Sequence, residues 1–115
     1  MTLPPVVYVA GPYRGPNAWA IEQNIRAAEA LALEAWKLGW AAISPHANTR
    51  FFQGAAPDDV WLRGDLAIMV KCDAVLMVPG WQQSEGARQE RTVAKSLKIP
   101  VVETLADLAA LPIER

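Results

Sequence analysis

The chain has 115 residues, 52% of them hydrophobic and 20% charged, with a net charge of −1, enough for one hydrophobic core and too few for two domains. Its Lys and Arg residues are scattered and form no basic stripe for a nucleic-acid backbone, no uncharged stretch approaches the ~20 apolar residues of a membrane span, and the opening MTLPPVVYVAGPYRG lacks the basic region of a signal peptide. The expectation is a single domain over residues 1–115, cytoplasmic, acting on a small molecule rather than on a nucleic-acid polymer or a membrane; the lone Cys72 excludes an internal disulfide, and with His46 the only histidine a metal site is not expected.

In chain order, VVYVA (6–10) is uncharged and rich in β-branched residues, as in a parallel strand buried on both faces. GPYRG (11–15) follows it, a glycine-rich turn that is neither a Walker loop nor GxGxxG. Gly11, Tyr13, Arg14 and Gly15 stand where mononucleotide folds hold phosphate, with Arg14 as a plain surface cation the other reading. A helix over 18–38 turns Ile21, Ile25, Ala28, Ala32 and Trp36 inward and Glu22, Arg26, Glu29 and Lys37 outward, the pattern of scaffold. Trp36 and Trp40 read as core or interface. AAIS (41–44) is a further strand, and SPHANTR a loop in which His46 either lines the site or is an ordinary loop residue.

A helix over 57–71 opens with Pro57, Asp58 and Asp59, which suit a helix N-terminus. It then carries the stripe Trp61, Leu62, Asp65, Ile68, Met69 and Cys72, with Cys72 read as a buried, inert thiol. AVLMV (74–78) is a buried strand, and Trp81 sits in the loop just beyond it, facing either ligand or protein. SEGARQE (84–90) opens a helix over 85–97 whose packing face is Gly86, Ala87, Glu90, Val93, Ala94 and Leu97. PVV (100–102) and a short helix over 104–111 complete the chain. The alternation predicts an α/β fold: a single-domain doubly wound, flavodoxin/Rossmann-like, mostly parallel sheet of about four to five strands with helices on both faces. Ligands bind such sheets at the carboxyl ends of the strands, near the switch in strand order.

Asp65 and Glu90 are both acids on apolar helix faces. Burying even an uncharged polar group without a partner costs roughly 2–7 kcal/mol, and a charge more. Either both are satisfied by arginines such as Arg50, Arg63 or Arg91, or they form a site. Two carboxylates in different environments are the equipment of glycosidic chemistry, one attacking the anomeric carbon while the other protonates the leaving group. Gly86 and Ala87 leave room for a sugar ring before Glu90, and Ser84 with the free amides of the helix end can hold an oxyanion, or is simply an N-cap.

VYVAGPYRG (7–15), GDLAIMVKCDAVLMV (64–78) and above all SEGARQE followed by an alanine-containing helix and IPVV resemble the nucleoside 2-deoxyribosyltransferase superfamily, closest to its small 2'-deoxynucleoside 5'-phosphate N-hydrolase branch. The resemblance spans nearly the whole chain. It implies Glu90 as the nucleophile on C1' of the sugar, Asp65 as the acid that engages the leaving base, and Tyr8 near the sugar or the nucleophile. Gly11, Arg14, Gly15, Ser84 and Gly86 would line a phosphate. Glu85 and Gln89 replace the residues usual in the family motif, placing a second acid beside that phosphate. The implied activity is hydrolysis of the N-glycosidic bond of a nucleoside or deoxynucleoside 5'-monophosphate, with no metal or redox cofactor, in a homo-oligomer (dimer or higher). Base exchange between deoxynucleosides and a non-catalytic nucleotide-sensing module are the alternatives.

Overall fold

In the computed structural model, which describes residues 1–113, strands and helices alternate along the chain: β1 Val6–Ala10, α1 Ala18–Lys37, β2 Ala41–Ile43, α2 Pro45–Asn48, α3 Asp58–Met69, β3 Ala74–Met77, α4 Glu85–Ser96, β4 Val101–Val102 and α5 Leu105–Ala109. A 3-10 turn, Trp81–Gln83, lies between β3 and α4. The four strands pair in the order β2-β1-β3-β4, every pair parallel. This is a doubly wound flavodoxin/Rossmann-like α/β domain, with a sheet parallel throughout rather than mostly so.

The period of two in a strand divides the core between the two faces. Val7, Ala74, Leu76 and Val102 pack with Ala35, Trp40 and Leu108 of the α1/α5 side. Tyr8, Ala10, Val75 and Met77 turn the other way, onto Met69 of α3 and Ala87 and Ala94 of α4. Both faces are covered, which is why the strands read as continuous apolar runs. Tyr8 is thereby aimed beneath α3 and α4, the two helices that carry the anomalous acids.

Caps define the helix starts. The side chains of Asn17, Ser84 and Thr104 accept from the backbone N–H groups of Ala20, Ala87 and Asp107 at 2.8, 3.1 and 3.0 Å. Pro57 occupies the cap position of α3, without a side-chain bond, rather than its first turn.

Three expectations are corrected. Ala35, not Trp36, takes the inward place on α1, because the buried series Ile25, Ala28, Ala32, Ala35 steps by three and four and leaves Trp36 54% exposed. Leu97 is the C-cap of α4 and 54% exposed, since the helical period lapses where the helix ends. The SPHANTR loop contains α2, which Pro45 begins at a position suited to proline. Trp40 is core as expected, and Cys72 is half-buried, its thiol pushed up to about 11, by burial first and by Asp73 second. Among the described residues no helix is long and apolar enough to cross a membrane.

Candidate active site

The chain leaves β1 for α1 on one face of the sheet and leaves β3 for α4 on the other, so the loops beyond these neighbouring strands diverge and open a crevice. A cleft of about 870 Å³ occupies it, walled by the β1–α1 loop, α2, the first turns of α3, and the β3–α4 segment. Ligand pockets span about 300–1,000 Å³. The cleft is of small-molecule size.

Glu90 and Asp65 both line this cleft, on the second turn of α4 and the third turn of α3, with α3 packed beside α4. Glu90 is 4% exposed, and the Tyr8 hydroxyl, fully buried beneath it, donates to its Oε2. Burial pushes the Glu90 carboxyl up to about 7, Asp65 adding to the rise and the Tyr8 hydrogen bond opposing it. Asp65 is raised to about 6 by burial. Asp65 therefore ionises first, and its charge then resists ionisation of Glu90. Tyr8 itself is held protonated far above the ordinary tyrosine range, by burial and then by the charge of Glu90 and the hydrogen bond to it.

No ion pair among the described residues relieves either acid. Among the described residues the ion pairs of Arg50 go to Glu22 and Glu29, Arg91 lies over the Trp81 ring at 4.6 Å, and no ion pair involves Asp65 or Glu90. The arginine-satisfied alternative is not what the fold builds. What it builds is a pair of carboxyls that together release their protons near neutrality, one of them oriented by a phenol.

The β1–α1 loop is fastened from several sides. Gly11, just past β1, packs against Val78, just past β3: a Cβ there would lie 2.6 Å from Cβ and Cγ2 of Val78. Its carbonyl accepts from the Nε2–H of His46 at 2.8 Å. His46 is buried on α2, meets the Tyr13 ring at a tilt of 47° with centroids 5.1 Å apart, and is pushed down by burial, the Gly11 hydrogen bond partly offsetting this. It thus faces the cleft as a neutral ring that also latches the loop. Asn24 of α1 donates to the carbonyls of Tyr13 and Arg14 at 3.0 and 3.3 Å, and the Tyr13 hydroxyl to Gln53 at 3.4 Å. Arg14 reaches across the cleft mouth to an ion pair with Asp58 of α3.

Most of the residues singled out from the sequence converge here: Gly11, Tyr13, Arg14, His46, Asp65, Ser84, Gly86 and Glu90 all line the cleft. Ser84 caps α4 with its Oγ, and Gly86 has open space where a Cβ would be. Three residues stand elsewhere. Tyr8 touches Glu90 from below and does not reach the cleft; Gly15 lies outside it, and its absent Cβ makes way for Ala20 Cβ, which would be 2.7 Å away. Trp81 turns toward β4, its Nε1 donating to Glu103 at 3.1 Å with Arg91 over its face, because the 3-10 turn Trp81–Gln83 rotates the segment after β3. Asp58, Asn24 and Gln53 line the cleft and were not singled out as site residues. Asp58 was legible only as a helix-dipole residue, and Asn24 carried no periodic signal of its own.

No curated protein matches the chain. Residues 5–103 match a family described as a domain of unknown function, DUF4406. The match takes in all four strands, both acid-bearing helices and every residue lining the cleft, and the chain belongs to that family.

Proposed function

We propose that the protein is an N-glycosidase acting on a nucleoside or deoxynucleoside, free or as its 5'-monophosphate, through a covalent glycosyl-enzyme. The observation that carries the reading is the Tyr8 hydrogen bond to cleft-lining Glu90 from beneath, with Asp65 in the same cleft and, among the described residues, no ion pair on either acid. The resemblance of SEGARQE and VYVAGPYRG to the nucleoside 2-deoxyribosyltransferase superfamily supports the same chemistry.

In the first step a Glu90 oxygen bonds to C1' as the C1'–N bond breaks, and the bond's electron pair leaves with the base, which takes a proton from Asp65. In the second step water attacks C1', its proton passes to Asp65, and Glu90 departs as carboxylate. Tyr8 is a positioning residue, since its O–H holds Oε2 and favours the ionised form of the nucleophile. Burial outweighs that effect in the free protein, so the single proton held near neutrality resides mainly on Glu90. The reactive arrangement, with the proton on Asp65, is then the minor singly protonated form.

The same proton order favours a second reading, a binding module in which protonated Glu90 donates to a sugar hydroxyl and no bond breaks. One experiment separates the two. The native protein and Glu90→Gln are incubated with nucleosides, deoxynucleosides and their 5'-monophosphates, and free base is quantified by chromatography. Release by the native protein alone is the expected result. Undiminished release by Glu90→Gln sinks the nucleophile, and thermal stabilisation by a ligand without release from any substrate supports the binding module. A second base added to the mixture distinguishes exchange from hydrolysis.

A further inference from the structure

We infer that Asp58 sets the charge preference of the cleft: it occupies the one arginine there and makes the protein favour an unphosphorylated nucleoside over its 5'-phosphate. The inference rests on the nucleoside reading above for the class of ligand and goes beyond it in assigning a selectivity and the residue responsible.

A phosphomonoester carries close to two negative charges at neutral pH and is held by free cations or by unengaged amides. The cleft lining has one arginine and no lysine, against the five carboxyl groups of Asp58, Asp59, Asp65, Glu85 and Glu90. That arginine, Arg14, comes from the loop after β1, where a phosphate was expected, and its guanidinium is already paired with Asp58 from the opposite wall. Asp58 and, more weakly, Glu85 both add to the hold on the Arg14 proton, so Glu85 also projects its field onto the same spot. The other side chain that could carry a positive charge, His46, spends its Nε2–H on Gly11 and is held toward the neutral form by burial. At the start of α4 the Ala87 amide is taken by Ser84 Oγ, and Glu85 stands beside the turn. A phosphate entering here meets an arginine already neutralised and must displace a carboxylate from it. A sugar hydroxyl meets no such barrier.

The pair has no other large task. Both side chains are mostly exposed, at 73% and 53%, and ion pairs of this kind contribute little to folding. Asp58→Asn is therefore expected to fold and to free Arg14 without removing the helix that carries Asp65.

The test is the ratio of kcat/KM for a 5'-monophosphate to that for its nucleoside, measured over the common deoxynucleosides for native protein, Asp58→Asn and Asp58→Asn/Arg14→Gln. The ratio is expected below one for the native protein, to rise about two- to fivefold in Asp58→Asn, and to lose that gain in the double variant. Raising ionic strength from about 0.05 to about 0.5 M should lift the native ratio more than that of Asp58→Asn, because part of the screened carboxylate field is that of Asp58; a merely structural Asp58 would give both proteins the same response. A native preference for the monophosphate, or a ratio unmoved by Asp58→Asn, overturns the inference. Absence of base release from every substrate is a failure of the glycosidase reading, and the same ratio is then taken from dissociation constants by calorimetry. Tighter binding of nucleoside than monophosphate, narrowed by Asp58→Asn, sustains the inference in that event, and binding of neither ligand overturns it.

Discussion

Glu90→Gln tests the central acid without recourse to any substrate. The replacement keeps the shape of the side chain and an oxygen that can accept from Tyr8, and it removes the charge. Burial lifts the Glu90 carboxyl from its ordinary 4.5 to about 7, so the folded protein holds this proton more tightly than the unfolded chain does. Between those two values the native state binds more protons than the unfolded state, and stability falls as pH rises. The stability conferred by the proton is fully present below pH 4.5 and is lost by the time pH passes 7. At 1.36 kcal/mol for each pH unit the loss is about 3 kcal/mol, and with an unfolding entropy of about 2.1 cal/mol/K per residue this is on the order of 12 °C in Tm. Native protein and Glu90→Gln should therefore unfold at nearly the same urea concentration at pH 4.5, while at pH 8.5 the variant should be the more stable by about that amount. An equal difference between the two proteins at both pH values refutes the argument, because it would mean that Glu90 does not titrate against its surroundings.

The remaining predictions concern turnover and packing. Base release should follow a bell in pH with its maximum between about 6 and 7, since one proton must be shared by a pair whose members sit at about 6 and about 7; a rate still rising at pH 9 would remove the protonated partner from the mechanism. Asp65→Asn should slow release of an ordinary base by about 10²–10⁴-fold and hardly affect an N7-methylated purine, which leaves without protonation, whereas equal slowing of both denies Asp65 the role of acid. Tyr8→Phe deletes the hydrogen bond that lowers Glu90, so turnover should fall by about tenfold or more and the pH optimum should move upward; an unchanged optimum means that the phenol does not tune the acid. Gly11→Ala forces a Cβ to within 2.6 Å of Val78 and should cost about 1–3 kcal/mol, read as a lower urea midpoint, and an unaffected midpoint would show that β1 and β3 can part at that point.

Asp65 and Glu90 were legible from spacing because each breaks an otherwise apolar stripe, and a helical stripe is a property of a dozen consecutive residues. The strands were legible for the same reason, as were the first and last residues of α1, α3 and α4 to within two positions. Neither Tyr8, named through the resemblance, nor Trp81 could be placed in this way. The partner of Tyr8 is 82 residues away, and it is the parallel pairing of β1 with β3 and the return of α4 over the sheet that bring them together.

Which segments become strands and helices, that both faces of the sheet are covered, and that two acids sit among apolar neighbours can all be read along the chain, because propensity and periodicity act between residues a few positions apart. What those acids touch depends on how the elements pack in space. Arg14 finds Asp58 across 44 residues, His46 finds Gly11 across 35, and Trp81 turns to Glu103 rather than into the cleft. Each of these contacts depends on the order β2-β1-β3-β4 and on where successive crossovers return. Charge, hydrogen bonding and burial act through space, and the distances through space are set by the crossovers rather than by spacing along the chain.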